Sequence, residues 1–197
     1  MKCLTEPELL FEISQLVKQN PTAIISVDGR CGSGKTTLSK KMKEVIGAQL
    51  VHADDFFLTP FMRTKERLDT PGENIDHERL EKEVLLPFSD AVGSNEHKEI
   101  SFLPYVCSLK DFGKAKQLRT DAPLIVEGSY SQHLSLLKYY DLKIFVDCSS
   151  EIQLERLKKR EGEEKLHNFV ERWIPLEEKY FKYCKIKENA DILIVTG

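Results

Sequence analysis

Hydrophobic residues never run for the roughly 18–20 positions that a helix needs to cross a bilayer. The opening stretch is broken by Glu6, Glu8 and Glu12, so no secretory leader is expected there. Cysteine is sparse and unpatterned. Cys3, Cys31, Cys107, Cys148 and Cys184 are odd in number, lie far apart and form no C-x-x-C pair. That pattern suits reduced thiols in a cytoplasmic protein rather than a disulfide framework or a zinc site. An excess of positive charge is missing too. Lys and Arg number 29 against 32 Asp and Glu, a net charge of −3, which disfavours nucleic acid and membrane surfaces as main partners. Neither internal repeats nor linker-like stretches interrupt the chain.

What is present fits one domain spanning 1–197. A chain of 197 residues with 41% hydrophobic and 31% charged residues can hold a full core without covalent staples. Leu9, Leu10, Ile13, Leu16 and Val17 recur at helical spacing and predict a helix over 6–18. Short apolar runs predict strands at 23–27, 49–52, 123–126, 142–146 and 191–195. Between them, helices are expected at 36–46, 131–139, 77–86 (stopped by Pro87), and 167–183 (interrupted at Pro175). Ser150 and Gln153 have capping-box spacing and open a further helix towards Gly162. Ile100 and Phe102 alternate with polar residues before Pro104, which suggests an edge strand at 99–103. Strands alternating with helices predict an α/β fold with a five-stranded parallel core sheet and helices on both faces.

The strongest chemical signal is Gly29-Arg30-Cys31-Gly32-Ser33-Gly34-Lys35-Thr36, which matches G-x-x-x-x-G-K-[ST]. A bare match arises by chance in on the order of 1% of chains this long. Here an apolar strand precedes it and an amphipathic helix follows, as a phosphate-binding loop requires. Glycines let the backbone turn its N–H groups onto phosphate oxygens, and the helix adds its positive end. Lys35 reaches the β- and γ-phosphates of a nucleotide, and the Thr36 hydroxyl ligates Mg²⁺. Cys31 reads as a tolerated small residue of the loop rather than a nucleophile.

Ligands of open α/β sheets bind beyond the carboxyl ends of the strands. Asp54, Asp55, Glu127 and Asp147 fall at such ends. Phosphoryl transfer to an alcohol needs an acid that orients or deprotonates the hydroxyl, and another near the metal. Asp54 is the candidate for the first role and Glu127 for the second. Asp55 and Asp147 read as structural. Arg156 and Arg160 lie four apart, on one helical face, and are candidates to stabilise transferring charge from a lid. Lys158 and Lys159 read as solvated. Trp173, Tyr180, Phe181 and Tyr183 read as core or lid packing.

These residues resemble the uridine kinase / phosphoribulokinase / pantothenate kinase group of P-loop kinases. The resemblance is carried by 27–37 (adding Thr37 to the loop), Asp54-Asp55-Phe56-Phe57, Asn74-Ile75-Asp76-His77, Leu124-Ile125-Val126-Glu127-Gly128, and Arg156 with Arg160. More closely, Pro71-Gly72-x-Asn74-Ile75-Asp76 and Trp173-Ile174-Pro175-Leu176-Glu177-Glu178 are similar to bacterial uridine kinase-like proteins. It implies a P-loop NTPase three-layer fold, with an acceptor-binding insert at about 58–122 and a lid at about 156–168. It also implies ATP and Mg²⁺, with Asp54, Phe57, Arg63, Asp76 and Tyr105 on the acceptor side. The chain departs from nucleoside kinases at Val106, where an aspartate usually follows the pocket tyrosine, and at Leu109 and Lys110. The same Asp-Asp-Phe-Phe run is similar to that of nicotinamide riboside kinases.

The expected activity is therefore transfer of the ATP γ-phosphate to a hydroxyl of a nucleoside-like or related small-molecule acceptor. The alternative is a catalytically silent nucleotide-binding regulator. A GTPase switch is disfavoured, because Asp69-Thr70-Pro71-Gly72 lacks a strand before it and the chain has no N-K-x-D. The sequence leaves room for a homo-oligomer.

Overall fold

The computed structural model of the chain describes residues 1–94 and 98–197. Among the described residues, six strands form one parallel sheet: β1 (Lys2–Cys3), β2 (Ile24–Gly29), β3 (Gln49–His52), and, after an excursion over 53–123, β8 (Leu124–Glu127), β9 (Leu142–Asp147) and β10 (Ile192–Val195). Their order is β1-β10-β9-β2-β8-β3. Central β2 is buried along all six residues, the expected pattern for a strand covered on both faces. The alternation within each strand sorts the core into two halves. Ile25, Val27, Ile125, Ile144 and Val146 meet α1 (Glu6–Gln19) and α2 (Lys35–Ile46) through Leu9, Ile13, Leu38 and Met42. Ile24, Leu124, Val126 and Phe145 face the other way.

That second face is covered by two helical runs. One follows α3 (Lys65–Asp69) and comprises α4 (His77–Leu80), a π turn at Glu81–Leu85 and α5 (Leu86–Gly93). The other follows α6 (Ser150–Glu161) and comprises α7 (Glu163–Asn168), a π turn at Phe169–Trp173 and α8 (Ile174–Tyr183), with α9 (Ile186–Asn189) after it. Two antiparallel ribbons stand apart from the sheet: β4 (Glu99–Phe102) with β7 (Lys116–Arg119), and β5 (Tyr105–Val106) with β6 (Asp111–Phe112).

Four details differ from the sequence reading. The sheet has a sixth strand, because the Lys2 N–H donates to the Asp191 carbonyl (2.7 Å) and the Leu4 N–H to that of Leu193 (3.1 Å). Its two residues are exposed, so no burial pattern announces them. Neither Pro87 nor Pro175 stops its helix. Each follows a π turn and sits in the first turn of the next α-helix, where a missing N–H costs nothing. The helix expected at 131–139 is a series of turns with one 3₁₀ turn at Leu137–Tyr139. The hydrogen bonds here run from the His133 N–H to the Tyr130 carbonyl (3.1 Å) and from the Leu136 N–H to the His133 carbonyl (2.8 Å), closing successive three-residue turns rather than an α-helix. Finally, Ser149 rather than Ser150 caps α6, accepting from the Ile152 N–H. Gln153 instead donates to the Cys31 carbonyl at 2.9 Å.

Asp28 is fully buried near the carboxyl end of β2. Its carboxylate accepts from the Gly29 N–H (2.7 Å), the Gln132 N–H (2.9 Å) and the Tyr180 hydroxyl (2.8 Å). Burial pushes its pKa up to about 6, against the pull of these donors. A raised carboxylate pKa means that the folded chain holds the proton more tightly than the unfolded one. Stability contributed by Asp28 therefore declines as pH rises from about 4 through 6. Tyr180→Phe removes one donor without leaving an orphan on the ring. It is expected to cost about 2 kcal/mol in urea unfolding at pH 7; an unchanged midpoint would show that the hydroxyl does not anchor α8.

Candidate active site

The carboxyl ends of β2, β8 and β3 lie side by side, with Val27 and His52 both in register with Glu127. Whatever follows these strands is thus delivered to one place. The loop after β2 starts at Gly29, with φ +140°; a Cβ there would lie 2.0 Å from the Val146 carbonyl oxygen. Gly128, after β8, has φ +134°, and a Cβ would come within 2.9 Å of the Ala53 Cβ. Only glycine fits at these two positions.

A cavity of about 750 Å³ opens above this edge, a volume in the range of small-molecule sites. The loop contributes Cys31, Gly32, Gly34, Lys35, Thr36 and Thr37 to its lining. Asp54, Glu127, Phe57, Arg63, Arg156 and Arg160 line the rest of the expected set. Of the sequence candidates, Gly29, Arg30, Ser33, Asp76 and Tyr105 are not in the lining. Arg30 turns away to Asp147 (Nε to Oδ1, 2.8 Å) and Glu178. Asp76 caps α4, accepting from the Arg79 N–H at 3.1 Å. Tyr105 is buried edge-on against Phe112 at 5.7 Å.

Glu127 is buried and held from two sides. The Thr36 hydroxyl lies 3.3 Å from each of its oxygens, and His52 Nδ1 contacts Oε1. That hydrogen bond raises the His52 pKa. Asp54 is open to the cavity, yet protein surrounds it. Loss of water, and then the Glu127 charge, raise its pKa above the ordinary carboxylate value. Lys35 lies against its own loop, its ammonium donating to the carbonyls of Gly29 (2.7 Å) and Arg30 (2.8 Å). Burial and the nearby Glu177 push the Cys31 thiol up, so it stays protonated, as befits a loop residue and not a nucleophile.

Arg156 reaches the Gly32 carbonyl (3.4 Å), the Thr196 hydroxyl (2.8 Å) and the Gly197 carbonyl (3.0 Å). Arg160 pairs with Glu161 at 2.7 Å. The structural acids behave as such: Asp55 binds Lys116 (2.7 Å), and Asp147 bridges Arg30 and Lys187. Lys158 pairs with Glu163 on the surface.

Sequence reasoning passed over several lining residues. Asn74 is buried with its carbonyl oxygen unpartnered, and Arg172 lies over the Trp173 ring at 4.7 Å. Trp173 thus lines the cavity, whereas Tyr180 and Phe181 are core and Tyr183 is exposed. Glu177 is buried against the loop although 146 residues separate it from Cys31. The motifs around Asn74 and Trp173 signalled a resemblance, but no spacing rule assigned roles within them.

A second polar cluster, Glu73, His77 and His133, brings three ligand-type atoms within 4.8 Å of one another. Its two rings stack nearly parallel, 3.8 Å apart at 12°, so their lone pairs do not converge on one ion. Arg67 already supplies Glu73 with a cation at 3.3 Å.

No family model matches the chain. A uridine kinase of Staphylococcus epidermidis is 25% identical over 194 residues, covering 90% of this chain and 89% of that protein. Uridine-cytidine kinase D of Dictyostelium discoideum is 24% identical over 139 residues, 68% of this chain and 26% of that protein. Among solved structures, a possible uridine kinase from Bacillus stearothermophilus superposes with a TM-score of 0.69, 15% identity, and coverage of 95% and 98%. The chain thus resembles uridine kinases in sequence along most of its length, and its fold is the three-layer fold of P-loop kinases.

Gly29→Ala would drive a methyl group into the β9 backbone. We expect it to cost more than about 3 kcal/mol or to prevent folding. A thermal midpoint equal to the parent's would mean that the loop start is not as tightly seated as described.

Proposed function

We propose that the protein is a small-molecule kinase that transfers the γ-phosphate of ATP to a hydroxyl of a nucleoside-like or related metabolite. The observation that carries this reading is convergence. The glycine-rich loop with Lys35 and Thr36, the strand-end acids Asp54 and Glu127, and the arginines of α6 all line one cavity. A purely regulatory nucleotide binder has no need of Asp54 there.

The donor's phosphates would lie along the loop from Gly29 to Thr37, over its N–H groups and the start of α2. Lys35 would swing from its carbonyl partners to the β- and γ-phosphates. The Thr36 hydroxyl and the Glu127 carboxylate, 3.3 Å apart, are hard oxygen donors of the kind that suit Mg²⁺. When bound, Mg²⁺ would neutralise phosphate charge there. Asp54 would accept the proton of the acceptor hydroxyl and aim it in line. Its raised pKa makes it a better base than an ordinary aspartate. Arg156 and Arg160, on a lid spanning about 156–168, would add positive charge to the transferring group and keep water out.

The acceptor would lie against Phe57 and, in the insert 58–122, Arg63; residues 95–97 of that insert lie outside the described set. Asp76 and Tyr105 stand behind that wall rather than on it. They would serve the pocket by holding its shape: Asp76 fixes the start of α4, and Tyr105 packs the ribbon.

The decisive experiment measures ADP release with ATP and Mg²⁺ against nucleosides, nicotinamide riboside, pantothenate and sugar phosphates. Acceptor-dependent release that disappears in Lys35→Ala is expected. Binding of ATP with no release for any acceptor would favour the regulator. With the true acceptor, Asp54→Asn is expected to lower kcat by about 10²–10⁴-fold while leaving ATP affinity within about threefold. Protonated Asp54 is inactive, so kcat/KM should fall as pH drops through its raised pKa. That acid limb should be missing in Asp54→Asn; its persistence would reassign the base.

A further inference from the structure

Glu177 is the fourth residue of α8 and lines the cavity. It is 5% exposed. Oε2 accepts from the Cys31 backbone N–H at 2.9 Å, and Oε1 accepts from the Ser129 hydroxyl at 2.5 Å. The next residue, Glu178, grips the Arg30 guanidinium. Two successive carboxylates of α8 are therefore fastened to two successive residues of the glycine-rich loop. Their roles differ. Glu178 holds a side chain on the outside of the loop. Glu177 reaches a backbone donor inside the cavity, among Lys35, Thr36 and Asp54.

A glycine-rich loop presents N–H groups so that anionic oxygens can dock on them. The oxygen docked on Cys31 belongs to the chain itself. A carboxylate and a phosphate share the same sign and the same acceptor chemistry, so one N–H cannot serve both at full strength. We propose that Glu177 is an internal anionic competitor for the phosphate cradle, and that it lowers the affinity of the cradle for every anion that docks on the Cys31 N–H. This inference rests on the reading that the loop binds donor phosphates.

Each such anion has to displace the carboxylate, and valency decides which ones can. Inorganic phosphate offers one anionic group, which must displace a carboxylate already tethered at the site. A nucleoside triphosphate engages several loop N–H groups and Lys35 together, and so outcompetes a single carboxylate. Once displaced, Glu177 faces like charge, and the helix carrying it must shift or its side chain must turn out. Donor binding is thereby linked to the position of α8, and the cradle is not left open to small anions between turnovers.

Calorimetric titration of wild type, Glu177→Gln and Glu178→Gln with pyrophosphate, inorganic phosphate, a non-hydrolysable ATP analogue with Mg²⁺, and adenosine tests this. Glu177→Gln should bind inorganic phosphate, pyrophosphate and the ATP analogue each about tenfold more tightly than wild type, the scale of one charge-assisted hydrogen bond. Adenosine, which is uncharged, should show no gain. Glu178→Gln loosens the same helix without vacating the anion position, so it should show no gain in pyrophosphate affinity. Equal or weaker pyrophosphate binding by a folded Glu177→Gln overturns the inference while leaving the kinase reading intact. An equal gain in Glu178→Gln also overturns it, since loosening the helix would then suffice. Absence of nucleotide binding in wild type and both variants overturns the functional reading and the inference together. Should Glu177→Gln fold poorly, Ser129→Ala, which removes the other partner of Glu177, should give a smaller gain of the same sign. No gain there counts against the inference.

Discussion

A single buried carboxylate ties the active region together. Asp28 receives hydrogen bonds from its own loop, from the turn after β8, and from α8. These three segments are far apart in sequence and supply the glycine-rich loop, Ser129 and Tyr130, and Glu177. An unpaired carboxylate at this depth would be strongly destabilising. Three donors make it tolerable, two of them backbone N–H groups and one the Tyr180 hydroxyl. Burial still raises the Asp28 pKa to about 6, so the anchor is strong because it is geometrically demanding, not because its charge is comfortable.

Electrostatic frustration continues into the cavity. Asp54, Glu127 and Glu177 all face it, and Asp54 is raised first by burial and next by Glu127. The cations around the cavity are paired within the chain. Lys35 lies on carbonyls, Arg156 on the residues after β10, Arg160 on Glu161.

The central strands and the loop were legible because their signals are local. A fully buried strand reads as an apolar run, and G-x-x-x-x-G-K-T needs only eight consecutive residues. Asp54 and Glu127 were legible because strand ends in a parallel sheet point to one edge. Illegible features depend on distant partners. Nothing near Ser131 announces that Asp28 will claim the Gln132 N–H. Nothing near Glu177 announces Cys31. Asp76 looked like a ligand through resemblance, yet its position before α4 equally spelled a cap. The prolines misled in a different way. Pro87 and Pro175 are helix stops by local rule, and only the π turns before them let both helical runs continue.

Those π turns do more than accommodate a ring. Each residue of an α-helix advances the azimuth by about 100°, so the length of Phe169–Trp173 determines the rotational phase at which α8 begins. Glu177 and Tyr180 are three residues apart and share a face. The phase that seats the tyrosine on Asp28 is therefore the phase that presents the glutamate to the loop. Removing one residue upstream would swing both through about a quarter turn, which makes this stretch intolerant of single-residue deletions even where its side chains are replaceable. Fold anchoring and loop occupancy are set by one angle, and neither can drift without the other.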